Sequence, residues 1–409
     1  MNIDLKHNVI NATVNLPSSK SESNRVLIIR ALAQSCEVIT NLSEAEDTVV
    51  LEKALDSLSD SKVVNIGHAG TAMRFLTAYL SLQTSGTFLL SGSKRMEQRP
   101  IGILVSALKK VGADIVYQKK EGFPPLAIKG RQLKGGVIEI DSSVSSQYIS
   151  ALLLISPLLE DGLIIRLKGE VVSSPYLEMT IRLMRYFNVQ VTVEASVFKI
   201  EKQAYKFKEI KIESDWSAAS YWFEIAALSS SCSIQLNGLF KESRQGDSVL
   251  PMLYQSFGVT SIWNDKGLEL VKDNNFQLAK ETVIEFDLTD TPDLAQTLVC
   301  TCIGLGLKFK LKGLSTLVIK ETNRLEALKN ECNKFKVALT IVNNSELELV
   351  EDYTVEKPSE QINTYEDHRM AMAFAPLVLR VGHLSIENAS VVKKSYPRYW
   401  DDVSCFVEL

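Results

Sequence analysis

Apolar residues recur at helical spacing after short polar segments, and they alternate with polar residues farther along the chain. Residues 26–33 read Val-Leu-Ile-Ile-Arg-Ala-Leu-Ala directly after the Ser-rich segment Pro17–Arg25, which predicts a helix with a serine at its N-cap. Residues 189–194 read Val-Gln-Val-Thr-Val-Glu, the alternation of a half-buried strand. The chain is therefore predicted to mix helices with strands.

A succession of helix end, turn and strand start occurs four times. Aligned on Gly112, Asn188, Gly258 and Lys336, the copies are spaced by 76, 70 and 78 residues. Gly or Asn at three of these positions is typical of a left-handed helix cap. The regular spacing indicates internal repeats, so we predict an α/β (α+β) fold built from similar units. No Pro/Gly/Ser-rich linker marks a domain boundary.

Composition limits the kinds of ligand that this chain binds. Its 409 residues, 45% of them hydrophobic, suffice for two or three domains with sizeable cores. Lys plus Arg number 45 and Asp plus Glu 49, giving a net charge of −4. That balance does not favour binding to nucleic acid or to a membrane surface. Any cationic site must therefore be local.

Targeting signals and metal-ligand motifs are not evident in the sequence. The first residues, Met-Asn-Ile-Asp-Leu-Lys, do not have a signal-peptide pattern, and no apolar run approaches the roughly 20 residues that span a bilayer. The six cysteines form no Cys-x-x-Cys pair and the four histidines no His-x-x-x-His pair. We expect a cytoplasmic protein with reduced thiols, no metal and no cofactor.

Polar segments precede several of the predicted helices, and all of them except residues 145–147 carry Lys or Arg. Pro17–Arg25 is the first, and the others are residues 68–74, 95–101, 145–147, 320–324, 365–370 and 394–397. Backbone N–H groups at a helix start attract anions, although each segment alone also fits an ordinary solvated helix start.

Seven cations in or beside these segments would form a cationic cavity if they converged: Lys20, Arg25, Arg99, Lys320, Arg324, Arg369 and Lys394. Their mutual repulsion would then be costly unless anions occupied the cavity. Guanidinium groups suit carboxylates and phosphates, whereas ammonium groups act as point charges. The mixture favours ligands that carry both kinds of anion.

Three carboxylates lie near these segments and are candidates for proton transfer. Asp293 follows Pro292 at a predicted helix start, where N-capping is an alternative role. Asp367 lies inside a basic motif, and we assign it a structural ion pair. Asp293 and Glu321 are the better candidates for a general base or acid.

Taken together, the motifs resemble the 3-phosphoshikimate 1-carboxyvinyltransferase (EPSP synthase) family over essentially the whole chain. They occur in the family's order, at residues 17–25, 67–74, 95–101, 145–147, 173–176, 293, 320–324, 367–370 and 394–397. The resemblance implies transfer of the enolpyruvyl group of phosphoenolpyruvate to the 5-hydroxyl of shikimate 3-phosphate, with release of phosphate. Both partners would be small molecules.

The resemblance also implies a role for individual residues. The shikimate 3-phosphate ligands would be Lys20, Ser21, Arg25, Ser145, Ser146, Gln147, Ser173, Tyr176, Asp293 and Lys320. The phosphoenolpyruvate ligands would be Lys20, Gly70, Arg99, Gln147, Arg324, Arg369 and Lys394. Asp293 would act on the 5-hydroxyl, while Glu321 and Lys20 would move protons on the phosphoenolpyruvate side. The sequence does not divide that last role between the two.

The fold implied by the resemblance is two similar lobes, each of three βαβαββ-type units. One lobe would comprise residues 20–213 and the other residues 1–19 together with 214–409, with the active site in the cleft between them. The chain would cross between lobes near residue 20 and near Glu213–Asp215. We expect a monomer.

Three positions depart from the family's usual residues: His68 replaces Asn, Phe75 replaces Pro and Asn323 replaces Asp. His68 and Phe75 flank the phosphoenolpyruvate loop, so affinity for this substrate and the response to glyphosate stay open. The departures remove none of the predicted catalytic groups.

Two alternatives stay open beside this interpretation. One is the related transferase that acts on UDP-N-acetylglucosamine, whose loop typically carries a reactive Cys, while residues 90–99 contain none. The other is an inactive anion-binding or scaffold protein. A nucleic-acid enzyme with similar repeats, of the RNA-cyclase kind, is disfavoured by the acidic charge balance.

Overall fold

The computed structural model describes residues 1–141, 145–169, 174–273, 275–276 and 282–409. The chain divides into two compact units. Residues 18–212 form one, here called the inserted unit, and residues 1–17 with 213–409 form the other, here called the split unit. The backbone N–H of Asp215 donates to the carbonyl of Pro17 at 2.8 Å. The chain therefore leaves and re-enters the split unit at one place.

The helices and strands are interspersed along the chain. The α-helices are α1 Lys20–Leu32, α2 Glu46–Asp56, α3 Gly70–Leu80, α4 Gly102–Lys110, α5 Ser146–Ile155, α6 Ser174–Tyr186, α7 Trp216–Leu228, α8 Leu250–Gln255, α9 Ala295–Leu305, α10 Arg324–Lys334, α11 His368–Phe374, α12 Val378–Val381 and α13 Tyr399–Val403. The strands are β1 Asn2–Leu5, β2 Val9–Asn15, β3 Ile39–Thr40, β4 Val63–Asn65, β5 Thr87–Ser91, β6 Asp114–Tyr117, β7 Leu126–Lys129, β8 Gly136–Asp141, β9 Leu163–Lys168, β10 Thr192–Glu194, β11 Val197–Ile200, β12 Ile210–Lys211, β13 Ser231–Asn237, β14 Val259–Asn264, β15 Gly267–Lys272, β16 Val283–Asp287, β17 Lys308–Lys312, β18 Thr340–Val342, β19 Glu346–Leu349, β20 His383–Ser385 and β21 Val407–Glu408.

Four four-stranded sheets share one strand order. They are β4-β5-β7-β6 and β8-β9-β11-β10 in the inserted unit, and β2-β13-β15-β14 and β16-β17-β19-β18 in the split unit. In each sheet the first two strands are parallel, and an antiparallel hairpin continues from the second. Each sheet with its helices is therefore a βαβαββ unit, and the inserted unit interrupts the one that begins at β2.

Each compact unit also contains a third, modified copy. In the split unit the order β20-β1-β21, with a parallel bridge between Ile362 and Ile386, repeats the same pattern using the two chain ends. In the inserted unit the described residues of the third copy are α1, α2 and the parallel pair β3–β12. The predicted fold of two lobes with three such units each is confirmed, with one unit shortened.

The four repeat positions found in the sequence all have a positive φ angle. Gly112, Asn188, Gly258 and Lys336 have φ angles of 106°, 67°, 75° and 62°. Each lies two residues after the last residue of a helix or, at Gly258, three residues after it. The predicted left-handed caps are therefore present, and the copy with Lys336 adopts the same conformation without the favoured Gly or Asn.

Helices form the interior of both units and the sheets lie outside them. In α7, every residue except Ser217 is buried, and α9 and α11 are buried over nearly their whole lengths. Strands such as β9 and β13 alternate between buried and less buried residues, because one sheet face covers the helices. None of the described helices is long and apolar enough to cross a membrane. Candidate site residues such as Lys20, Gly70 and Arg324 are the first residues of helices.

Candidate active site

Arg324 is the centre of a charged cluster in the split unit. As the first residue of α10 it is 2% exposed, and its Nε lies 2.7 Å from Asp367 Oδ2. Its Nη1 lies 2.8 Å from Asp293 Oδ1 and its Nη2 lies 3.1 Å from Glu321 Oε2. Burial alone would lower the pKa of Arg324, but the three carboxylates together raise it. Arg324 therefore stays charged inside the unit.

Asp293 is held by three cations that come from two segments of the chain. Its carboxylate lies 2.8 Å from Arg324, 3.3 Å from Lys320 and 3.1 Å from Arg369 Nη2. Arg369 Nη1 also donates to the Asp293 carbonyl at 3.2 Å. Burial raises the pKa of Asp293, but Arg369, Lys320 and Arg324 outweigh it and hold the pKa well below its usual range. The group is therefore ionised at neutral pH.

Glu321 connects Arg324 with the last cation of the cluster. Its Oε1 accepts a hydrogen bond from Lys394 Nζ at 2.8 Å, while its Oε2 faces Arg324. Lys394 ends the 3-10 helix Ala389–Lys394 and is 9% exposed. The two oxygens of Glu321 thus bind two different cations, which fixes the orientation of the carboxylate.

Asp367 acts as a structural anchor for α11, in agreement with the role assigned from the sequence. It is the N-cap of this helix, and its Oδ1 accepts from the backbone N–H of Arg369 at 2.9 Å. The same carboxylate pairs with Arg324 and is fully buried. One carboxylate therefore orients both arginines of the cluster.

In the inserted unit, Arg25 is bound by neutral groups. Its Nε donates to Thr180 Oγ1 at 2.7 Å and its Nη1 to the Ser21 carbonyl at 2.8 Å. Its Nη2 reaches Ser150 Oγ at 3.3 Å and the Tyr176 carbonyl at 3.2 Å. Burial is the main reason that its pKa is lowered to about 10. Since no carboxylate of a described residue bonds this guanidinium directly, its charge is available to an anion.

Lys20 and Phe75 complete the surroundings of this helix start. Lys20, the first residue of α1, lies 3.3 Å from Asp47 Oδ2, so this cation has an internal counter-ion. The ring of Phe75 is buried, and its centroid lies 5.5 Å from Arg25 Cζ. This departure from the family residue therefore packs against a predicted substrate ligand.

Gly70 and Arg99 form a second cationic position in the inserted unit. Gly70 begins α3, whose N-cap Ala69 makes no side-chain capping bond. A Cβ at Gly70 would lie 2.5 Å from Arg99 Nη1, so only glycine lets the guanidinium lie this close to the helix start. The Arg99 side chain has no hydrogen bond or ion pair with any described residue, and its Nε is buried. Helix start and cation together favour an anion.

The start of α5 is connected to the start of α3. Ser145 is the N-cap of α5 and accepts from the Gln147 N–H at 3.4 Å. The Gln147 side chain donates from Nε2 to Thr71 Oγ1 at 3.3 Å, next to Gly70. Ser146 is the first residue of α5. Ser173, predicted as a substrate ligand, lies outside the described residues.

The structure brings six predicted site residues into one network in the split unit: Asp293, Lys320, Glu321, Arg324, Arg369 and Lys394. In the inserted unit it brings Arg25 to Ser21 and Tyr176, and Arg99 to Gly70. The expectation that the cations repel one another unless ligands neutralise them is wrong for the split unit. Each of the four cations in this network has a carboxylate partner, because Asp293, Glu321 and Asp367 lie between them.

Sequence reasoning missed several residues that contact the predicted ones. Asp47 pairs with Lys20, Thr180 binds Arg25, and Ser217 Oγ accepts from Arg369 Nη2 at 3.3 Å. Asp47 lies in the first turn of α2, a position that favours acids, but no local pattern pairs it with Lys20. Thr71 could have been found from the sequence, because it lies within the basic segment 68–74.

Two departures from the family residues have simple local roles. Asn323 is the N-cap of α10 and accepts from the Glu326 N–H at 3.4 Å. Asn and Asp cap helices about equally well, so the cap is kept while one negative charge beside Arg324 is lost. His68 Nδ1 lies 3.1 Å from Ser93 Oγ, joining the segment before α3 to the loop after β5.

Comparison with known proteins gives a consistent result over the full chain. Residues 6–403 match the family model described as EPSP synthase (3-phosphoshikimate 1-carboxyvinyltransferase). A protein of Bacteroides fragilis (strain YCH46) named 3-phosphoshikimate 1-carboxyvinyltransferase is 48% identical over 396 residues, covering 96% of this chain and 95% of that protein. One of the same name from Sulfurovum sp. is 35% identical over 424 residues, covering 96% of each.

A solved structure shares the architecture at low sequence identity. The EPSP synthase from Acinetobacter baumannii superposes with a TM-score of 0.76 at 19% identity, covering 100% of this chain and 99% of that one. This structural similarity supports the fold, and the sequence matches establish the family. The chain belongs to the EPSP synthase (3-phosphoshikimate 1-carboxyvinyltransferase) family.

Proposed function

We propose that this chain transfers the enolpyruvyl group of phosphoenolpyruvate to the 5-hydroxyl of shikimate 3-phosphate and releases phosphate. The reaction belongs to the shikimate pathway, which leads to the aromatic amino acids. The observation that carries the proposal is the position of Asp293, an ionised carboxylate held by three cations in a chain of this family. Such a group combines a potential base with sites for anions.

For phosphoenolpyruvate we propose seven ligands: Lys20, Gly70, Arg99, Gln147, Arg324, Arg369 and Lys394. Arg99 is the strongest of these, because it has no ion-pair partner among the described residues and lies against the start of α3. A phosphate or carboxylate there would gain the cation and the helix N–H groups together.

For shikimate 3-phosphate the proposed ligands are Lys20, Ser21, Arg25, Ser145, Ser146, Gln147, Ser173, Tyr176, Asp293 and Lys320. Among the described members, Arg25 contacts the backbone of Ser21 and Tyr176 through neutral hydrogen bonds. A substrate phosphate would be the counter-ion that these contacts do not supply.

The chemistry requires one proton donor and one base. The methylene carbon of phosphoenolpyruvate takes a proton, and the 5-hydroxyl adds to the resulting cationic carbon as its own proton passes to the base. The tetrahedral adduct then loses phosphate together with one proton of the new methyl group, which restores the carbon–carbon double bond. We assign Asp293 as the base for the 5-hydroxyl, and Glu321 with Lys20 to proton transfer on the phosphoenolpyruvate side. Cations near the phosphate stabilise the charge that leaves with it.

The low pKa of Asp293 fits this role once substrate charge is considered. In the free protein Arg369, Lys320 and Arg324 stabilise its ionised form. Substrate anions that bind these cations weaken their hold on Asp293, so its pKa rises toward the range in which a base accepts a proton. Substrate binding would thus activate the base.

The proposal includes a monomeric protein that acts in the cytoplasm, as expected from the sequence. The steps above use proton transfer and charge stabilisation by side chains, so we assign no cofactor to them. Gel filtration of the purified protein at several concentrations tests the monomer. A concentration-independent mass near 45.5 kDa is expected, whereas a stable dimer would overturn this part.

The reaction is tested by measuring phosphate release from phosphoenolpyruvate in three parallel assays: without acceptor, with shikimate 3-phosphate and with UDP-N-acetylglucosamine. We expect release only with shikimate 3-phosphate, together with one equivalent of the enolpyruvyl product by mass spectrometry. Release only with the sugar nucleotide would assign the chain to the related transferase. Release with neither, from folded protein that binds both substrates, would favour an anion-binding role.

A further inference from the structure

Ser217 lies between a proposed phosphoenolpyruvate ligand and a buried acid that neither the motifs nor the proposed reaction uses. Its Oγ donates to Asp247 Oδ2 and accepts from Arg369 Nη2 at 3.3 Å. A hydroxyl has a single proton, so donating it to Asp247 turns an oxygen lone pair toward Arg369. Ser217 is also the only residue of α7 that is not buried.

Asp247 is rigidly held opposite this serine. It lies in the 3-10 helix Gly246–Val249 and is 4% exposed. The preceding Gln245 accepts from the Trp216 N–H at 3.1 Å and donates to Glu213 Oε2 at 2.9 Å. Ser243 donates to the same Glu213 oxygen at 2.6 Å. These bonds fasten the segment that carries Asp247 to the start of α7.

The hydrogen bonding of Asp247 is one-sided. Oδ2 accepts from Ser217, whereas Oδ1 is buried without a hydrogen-bond partner among the described residues. A buried carboxylate that leaves one oxygen unsatisfied costs stability, so a structural explanation alone is weak. The hydrogen bonding of Asp247 therefore favours a role in orienting Ser217 and, through it, Arg369.

We infer that Asp247 is a positioning residue for Arg369, acting through the hydroxyl of Ser217. Arg369 also contacts the carboxylate and the carbonyl of Asp293. Because the Ser217 lone pair adds a third contact, the guanidinium plane keeps a fixed direction toward the proposed anion. This inference rests on the proposed function, since Arg369 is assigned to phosphoenolpyruvate there.

The charged groups around Asp247 make its ionisation sensitive to pH. Burial raises the pKa of Asp247 to about 6, Arg369 and the Ser217 bond oppose that rise, and Asp293 and Asp215 add to it. Asp247 is therefore mostly ionised at pH 8 and mostly protonated at pH 5. Protonated aspartate resembles asparagine, so wild type and Asp247→Asn should become alike as the pH falls.

The test compares kcat and KM of Asp247→Leu, Ser217→Ala and their double variant. Ser217→Ala removes a contact to Arg369, and Asp247→Leu removes the acceptor that orients the Ser217 hydroxyl. Each single change should therefore raise KM for phosphoenolpyruvate roughly tenfold, while kcat and KM for shikimate 3-phosphate stay within about threefold. KM for phosphoenolpyruvate in the double variant should not exceed that of either single variant, because both changes interrupt the same chain of contacts from Asp247 through Ser217 to Arg369. Ser229→Ala is the control: it removes a buried hydroxyl at the end of α7 that donates to the Ala226 carbonyl and contacts neither Ser217 nor Arg369.

A second readout is the pH dependence of kcat/KM for phosphoenolpyruvate in wild type and Asp247→Asn. The wild-type value divided by the Asp247→Asn value should be largest at pH 8 and should approach one below pH 6. Substrate phosphates also titrate near pH 6, but they do so equally in both assays and leave the ratio unchanged.

Several outcomes would overturn the inference. If the increases in KM for phosphoenolpyruvate multiply in the double variant, the two residues act separately. Positioning of Arg369 would be excluded by an equal increase in KM for both substrates or by a lowered KM for phosphoenolpyruvate. It would also be excluded if the ratio of kcat/KM between wild type and Asp247→Asn did not change with pH. Wild-type protein without phosphate release is a different result, because it refutes the proposed function before any variant is compared.

Discussion

The two compact units differ in how most of their proposed site cations are neutralised, with Lys20, which pairs with Asp47, as the exception in the inserted unit. In the split unit Arg324 pairs with Asp293, Glu321 and Asp367, and Arg369 pairs with Asp293. In the inserted unit Arg25 is bound by hydroxyl and carbonyl groups, and Arg99 has no ion-pair partner among the described residues. Similar chain architecture therefore supports two different electrostatic environments.

Under the proposed function, this difference implies a division of labour in which the inserted unit mainly binds substrate and the split unit mainly transfers protons. Cations bound by neutral groups keep their full attraction for a substrate anion, so the inserted unit is suited to binding. Cations paired with carboxylates attract anions less, but they hold the carboxylates ionised and oriented for proton transfer. Substitutions in the inserted unit should therefore mainly change KM, and substitutions of carboxylates in the split unit should mainly change kcat.

The largest expected effect is the loss of turnover in Asp293→Ala. Removing the proposed base should lower kcat roughly 100- to 10,000-fold, the usual contribution of general base catalysis. Phosphate release at saturating substrates measures this change. Asp287→Asn is the matched control, since Asp287 is an exposed carboxylate of the same unit that bonds Thr289. Unchanged kcat in Asp293→Ala would rule out the base assignment.

A smaller effect, on substrate affinity, is expected for Arg99→Ala. Losing a charged contact to phosphoenolpyruvate should raise its KM roughly 10- to 100-fold, with little change in KM for shikimate 3-phosphate. Initial rates with each substrate varied in turn separate the two constants. The control is Arg95→Ala, which removes an exposed arginine that bonds Gln98. If both variants behave alike, Arg99 is not the anion ligand.

The smallest of the three effects is expected for Gly70→Ala. The added Cβ would lie 2.5 Å from Arg99 Nη1, so the guanidinium must move away from the start of α3. Because the charge is kept and only displaced, KM for phosphoenolpyruvate should rise less than in Arg99→Ala, by roughly tenfold. Gly102→Ala is the control, because Gly102 likewise begins a helix but faces Gly122 rather than a cation. An unaltered KM would show that Arg99 is not held at this helix start.

Local patterns in the sequence predicted the repeated units and most of the charged site residues. The four helix ends at Gly112, Asn188, Gly258 and Lys336 were visible because a left-handed cap has a recognisable local sequence. The residues at helix starts, such as Arg324 and Gly70, were visible because apolar helical stretches follow them. The family resemblance added the order of the units and the roles of individual residues.

Contacts between distant parts of the chain were not predictable in this way. Asp47 pairs with Lys20 across two helices, and Ser217 meets Asp247 thirty residues away. The exposed or buried state of such a polar residue depends on the packing of several elements, which no local spacing encodes. The same reason explains why the sequence suggested unpaired cations in both units, whereas Asp293, Glu321 and Asp367 neutralise those of the split unit.

The division of labour is tested most directly by titrating shikimate 3-phosphate into Asp293→Ala and wild-type protein by isothermal calorimetry, with turnover measured on the same preparations. The account predicts that Kd changes by less than about tenfold, because Asp293 supplies one of many proposed contacts, while turnover falls at least roughly 100-fold. A Kd that weakens as much as turnover falls would contradict the account and make Asp293 a binding residue rather than the base.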